Sequence, residues 1–234
     1  MAYGHRRTRR ALIALAAIGA LLAVAIAVGN TAGRRYAENT AAQAILQRSG
    51  LVSSVTINDD LFVLSLLRQH FDNVDVDFPA LPISAGSHSL TPKVSVNLTD
   101  VVATDNFSRL VAGKATANAS LTWSQVSTLA GYSVMPDGTG IVVALTYDLY
   151  GIKVNGTVTA TPTIKSGQLV LTNTTLKVAG VAVPAAIASY LLAEVTAPVD
   201  LGLPKPFVAT SLTVTPDALK IVAQGIDVDV TALG

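Results

Sequence analysis

The sequence predicts an α+β protein: a long, curved antiparallel sheet wrapped around apolar helices, preceded by one N-terminal membrane helix. Three observations carry this prediction. Half of the 234 residues are hydrophobic and only 13% are charged, about half of the roughly 25% found in an average soluble domain. Residues 11–28 form an unbroken apolar run without a single charge. From Ser89 onward the apolar residues recur mainly with the period of two that marks strands, interrupted by short helical segments.

The chain opens on a basic tail with Arg6, Arg7, Arg9 and Arg10, followed by the apolar run and then Arg34 and Arg35. No acid occurs before Glu38, so the body carries ten basic against 15 acidic residues. Eighteen apolar residues at 1.5 Å each give about 27 Å, enough for a thin bilayer and longer than the usual 7–15 residue core of a cleaved signal. The run therefore reads as an uncleaved signal anchor, with cleavage after Gly29 as the alternative. The positive-inside rule puts the N-terminus in the cytoplasm. The expected division is 1–34 for tail and span, and 35–234 for one domain in the periplasm or cell envelope; a cleaved, secreted form is the variant.

Residues 35–48 form a helix rich in Ala and Gln, closed by Gly50. A short strand follows over 52–57. Asn58 and Asp59 then cap a helix over 60–71, on which Leu61, Leu64, Leu67 and Phe71 recur at helical spacing. Asp75 and Asp77 alternate with Val74, Val76 and Phe78 as the wet face of the next strand. Val94, Val96 and Leu98, then Ala115, Ala117, Ala119 and Leu121, alternate with Ser, Asn and Thr, the pattern of a half-exposed antiparallel sheet.

Two short helices interrupt the strands, one over 105–111 and one opened by the Thr122/Gln125 capping box and closed by Gly131. Long strands are expected over 140–150, 153–164 and 168–178, with turns at Gly151 and Ser166-Gly167. Pro184 opens the most apolar helix of the body, 184–197, with few polar side chains around its circumference. Strands over 208–215, 219–224 and 226–230 end the chain.

The chemistry that is missing narrows the function. There is no cysteine, and histidine occurs only as His5, His70 and His88. No G-x-S-x-G elbow, P-loop, dinucleotide fingerprint or H-E-x-x-H is present. The composition excludes a nucleic-acid-binding polyelectrolyte. No catalytic residue, metal site or cofactor is expected. Strands curving over very apolar helices leave room instead for an apolar ligand.

The arrangement resembles the LmeA-type phospholipid-binding family of actinobacterial cell-envelope proteins. The resemblance rests on the membrane signal followed by an Ala-rich helix, and on the strand–helix–strand segment from Val55 to Val76. It continues in Leu121-Thr122-Trp123-Ser124-Gln125 closing on Gly131, in Gly151 to Leu171, and in Val178 to Pro184 leading into the apolar helix. It ends in Leu203-Pro204-Lys205-Pro206-Phe207 before the Thr213 to Val222 hairpin. The resemblance implies a fold similar to a tubular lipid-binding, BPI-like half-module. It also implies phospholipid or glycolipid as ligand, the inner membrane as partner, and a role in biogenesis of mannan-type envelope glycolipids. No lipobox Cys is present, so the span itself would be the anchor.

Apolarity alone nominates the lining of the lipid groove: Leu64, Leu67, Phe71, Trp123, Ile187, Tyr190, Leu191, Leu192, Val195 and Phe207. Trp123 reads first as a core aromatic, with an anchor at a membrane or pocket mouth as the alternative. Lys205 and Arg68 are the candidate headgroup contacts. The competing reading is a structural or interaction module of the envelope with a closed core.

Overall fold

A computed structural model describes residues 29–47, 49–85, 88–105, 107, 109–149, 152–178, 181–183, 198–201 and 203–230. The apolar run 11–28 and the expected helix 184–197 lie outside the described residues, as does the turn at Gly151. Among the described residues no helix is long and apolar enough to cross a membrane.

The class is α+β, and antiparallel sheet dominates it. Strands β1 (Ser54–Ile57), β2 (His70–Phe78), β5 (Lys93–Thr104), β6 (Arg109–Thr122), β14 (Ala218–Asp229) and β13 (Val208–Val214) form the first sheet in the order β1-β2-β5-β6-β14-β13. A second sheet runs β11-β10-β9-β8-β7, from β7 (Ser133–Asp137), β8 (Gly140–Leu149), β9 (Ile152–Lys165), β10 (Gln168–Val178) and β11 (Val181–Ala182), with β12 (Val199–Asp200) also on β10. A small hairpin, β3 (Ile83–Ala85) and β4 (His88–Leu90), stands apart. The single long sheet expected from the sequence is thus two. Helix α3 (Trp123–Ala130) turns the chain out of the first sheet after β6, and the meander restarts beyond Gly131, whose φ of 69° closes the helix.

Residues 29–47 are helical (α1), so helix is already present six residues before Arg35, where the domain was expected to start. Its alanines favour the helix, and Gly50 at φ 70° ends it, with its N–H donating to the Leu46 carbonyl at 2.8 Å. Helix α2 (Phe62–Arg68) is shorter than the apolar spacing suggested. Gln69 adopts the left-handed conformation and caps it, and β2 begins at once, which puts Phe71 in a strand.

Asp59 does not cap α2; its N-cap is Leu61, without a side-chain bond. The Asp59 carboxylate instead accepts the N–H groups of Asp72 and Asn73 at 2.9 and 3.2 Å. The helix expected over 105–111 is also absent: Asp105 and Phe107 have positive φ, forming a turn from which β6 starts.

Each sheet has its own core. Val134, Val143, Val158 and Leu176 lie on one rung of the second sheet and are buried, with Trp123 and Val126 of α3 and Val214 of β13 packed against them. In the first sheet Ile57, Leu98, Ala112, Ala115, Phe71 and Val228 surround Phe62 of α2, with Ala37 of α1 and Phe207 against them.

The first sheet carries a seam across four strands. Its core-facing positions step by three rather than two at the same level: Phe71 to Val74, Leu98 to Val101, Ala112 to Ala115, Gly225 to Val228. Asp100 and Asp227 hold positive φ there, which turns the pleat by one residue while the pairing register on both sides stays the same. Two successive residues on each strand then point away from the core. The last strand, expected as two pieces, is one continuous strand crossing this seam.

Candidate functional site

The inner face of the first sheet is built from an alternating pattern in every strand. One rung runs Val55, Val76, Val96, Ala117 and Ala223, and the next runs Phe78, Val94, Ala119, Ile221 and Leu212. Neither rung contains a polar side chain. On one side of this strip lie the buried Ile57, Leu98 and Ala115, on the other the buried Leu121 and Leu219. Between them Val55, Val76, Val96, Ala117 and all five residues of the second rung are only half-buried. The strip is continuous apolar surface without full cover, and Ala117 and Ala119 make β6 its shallowest line.

The outer face of the same rungs is chemically opposite. A groove of about 700 Å³ runs along these rungs, lined by Ser54, Asp77, Ser95, Asn118 and Val222 from one outward-facing rung, by Lys93, Ser120, Lys220 and Thr213 from the next, and also by Phe78, Val94, Ala119 and Ile221 of the strip with Val52 and Pro79. Period-two alternation places the side chains of the two outward-facing rungs away from the strip. The groove thus combines hydroxyls, an amide, a carboxylate and two ammonium groups with apolar surface. Further along, Asn97 donates to Asp75 at 2.8 Å and to Asn73 at 3.1 Å, and Asn58 donates to the same two acceptors. Asp75 is thus on the wet face, as expected, and its charge is held by amides.

The nominated lipid residues separate into distinct places. Leu64 and Leu67 lie on the exposed side of α2, 39% and 78% accessible, whereas Phe71 is 7% accessible and faces the first core. They share no face, because Gln69 reverses the chain between them; the buried residue of α2 is Phe62. Phe71 and Phe207 both belong to the first core. Trp123 packs on the second core, and its indole N–H donates to the carbonyls of Thr215 and Pro216 at 3.1 and 3.0 Å. That bond ties α3 to the β13–β14 turn. Ile187, Tyr190, Leu191, Leu192 and Val195 lie outside the described residues.

Arg68 and Leu64 do come together, in a cleft of about 190 Å³ that also includes Asp60, Leu61, Ser65, His70 and Asp72. His70 Nε2 is 3.6 Å from Asp72 and 3.9 Å from Asp100, all three well exposed. Lys205 is exposed in the turn before Phe207 and does not line the cleft that holds Arg68. Among the described residues no group of three or more His, Asp or Glu is placed to hold a metal ion.

Sequence reasoning did not nominate the strip residues Val76, Val94, Val96, Ala117, Ala119 and Ile221. The alternation is visible in the sequence, but a half-covered apolar face and a fully packed one have the same period, so only exposure in the folded chain separates them.

No curated protein and no solved structure matched the chain. The model of the LmeA-like phospholipid-binding family matches residues 28–224, from the start of α1 into β14. With more than four-fifths of its length covered and the strand–helix–strand, capping-box and hairpin segments all inside the match, the chain belongs to the LmeA-like phospholipid-binding family.

Proposed function

We propose that the protein binds phospholipid by laying acyl chains along the half-buried inner strip of the first sheet. The observation that carries this reading is the pair of uncharged rungs left incompletely covered between two buried ends, in a chain of a phospholipid-binding family. Burial of each methylene contributes about 0.8 kcal/mol, so a chain lying across five strands gains affinity without a charged clamp on its headgroup. The body's excess of acidic residues agrees with a ligand recognised mainly by its tails.

In this reading the sheet curves around apolar helices, with residues 184–197 as the opposite wall of the groove. Residues 11–28 anchor the protein in the inner membrane, N-terminus in the cytoplasm and domain on the outer side. The protein holds lipid and passes it to, or presents it for, biogenesis of mannan-type envelope glycolipid, without catalysing a reaction itself.

Native mass spectrometry of the purified chain, with extraction of what accompanies it, tests the binding. A discrete added mass that extracts as phospholipid is the expected result. A bare protein that also rejects added phospholipid favours an interaction module with a closed core.

A further inference from the structure

We propose that α2 is a second membrane contact, an apolar foot that enters the bilayer interface beside the point where residues 11–28 leave it. This rests on the membrane-anchor reading above and adds a docking surface and its partner, a lipid surface.

The one buried residue of helix α2 is Phe62, which is 2% accessible and whose ring lies 6.3 Å from that of Phe71, tilted by 31°. Around it Leu61, Val63, Leu64, Leu66 and Leu67 are all exposed, Leu61 at 54% and Leu67 at 78%. Five large apolar side chains on two turns form a contiguous patch of the kind that marks an interaction surface. Nothing in the packing of the first core requires them to be apolar.

The partner is indicated by what holds the patch in place. Asn30 donates from its amide to the Asp60 carbonyl at 3.0 Å and accepts the Val63 N–H at 3.3 Å. Asn30 stands two residues after the last residue of the apolar run in sequence, at most about 7 Å of chain. The first turn of α2 is therefore pinned where the chain emerges from the membrane. Arg34 donates to the Asp59 carbonyl just before α2, which places a cation at the same level. Arg35 and Arg68 add basic residues near this boundary, where they favour the headgroup region.

Asp60 and Asp72 share the cleft with Arg68, so the net charge of the foot is small. Its insertion depends on the leucines, and anionic lipid is not required. A single helical anchor leaves the domain free to rotate about it; a second contact fixes that rotation.

The chain has no cysteine, so single reporters can be placed in the full chain. Leu67→Cys, Ala20→Cys and Asp137→Cys, the last at the exposed end of β7, are labelled with a polarity-sensitive fluorophore. Each is reconstituted in phosphatidylcholine vesicles with plain or brominated acyl chains. The Leu67 label should lose roughly twofold in intensity with brominated lipid, as expected for side chains buried at the acyl boundary, and the Asp137 label should not. Adding phosphatidylglycerol should leave this ratio unchanged.

A quenched Ala20 label with a Leu67 label open to aqueous iodide overturns the foot and leaves the anchor standing. A Leu67 label shielded from both quenchers means that protein covers α2, and also overturns it. If Ala20 is not quenched but Leu67 is, the foot stands and the anchor reading falls. If neither is quenched, both fall. Leu61→Cys serves as an independent second position, and unchanged strand content by circular dichroism verifies the fold of each variant.

Discussion

Asp59 is 2% accessible and is the one buried acid among the described residues. One carboxylate oxygen accepts two consecutive N–H groups of β2, those of Asp72 and Asn73, at the seam where the pleat turns. The other oxygen is buried without a partner among the described residues. A carboxylate in this position satisfies donors that the neighbouring strand cannot reach, since β1 ends at Ile57. Asp59→Ala removes both acceptors and should destabilise the fold by on the order of 2 kcal/mol. Asp59→Asn keeps one acceptor and should cost less. Urea unfolding midpoints of the two variants decide the point, and an alanine variant as stable as the parent removes this role from Asp59. A second residue-scale constraint is Gly140, where an added Cβ would stand 2.8 Å from the Ala160 carbonyl. Backbone cannot give way as a side-chain tip can, so Gly140→Ala should lower the midpoint as an overpacking substitution, by about 1–3 kcal/mol.

At the scale of elements, α1 behaves as part of the folded domain from residue 29 onward. Asn30 and Arg34 bind the loop before α2 and its first turn, and Gly33 lies beside the ring of Phe62. A chain beginning at residue 36 loses these three hydrogen bonds, about 3 kcal/mol at roughly 1 kcal/mol each. Its thermal midpoint should therefore fall by about 6–12 °C relative to a chain beginning at 29. Equal midpoints would show that residues 29–35, about two turns of α1, contribute nothing. The same elements show what the sequence could and could not announce. The capping box of Thr122 and Gln125, the turn at Ser166-Gly167 and the long strands of the second sheet were legible, because each depends on local geometry. The end of α2 was not, since Gln69 takes a left-handed conformation that its residue type does not advertise. The seam was also hidden. A one-residue phase slip in β14 looks, in sequence, like a break between two strands; the pairing with β6 on both sides is what shows continuity.

For the whole molecule, the two faces of one sheet make opposite claims on a ligand, and neighbouring residues of β6 can separate them. Ala117 lies in the inner strip and Asn118 lines the outer groove. They are consecutive, so substitutions at both sit at the same height and in the same strand but project from opposite faces. If acyl chains occupy the strip, Ala117→Trp fills their place. Displacing about four methylenes at 0.8 kcal/mol each costs about 3 kcal/mol, on the order of 100-fold in affinity. Asn118→Trp should leave acyl-chain affinity within a few-fold, because its side chain projects from the opposite face of the strand. Titration of both variants with a fluorescent phospholipid distinguishes the possibilities, with phospholipid recovered on purification as an independent readout. The reverse order of effects would move the acyl site to the outer groove. Equal and small effects would place the chains away from this sheet, against the second core and the side of Trp123.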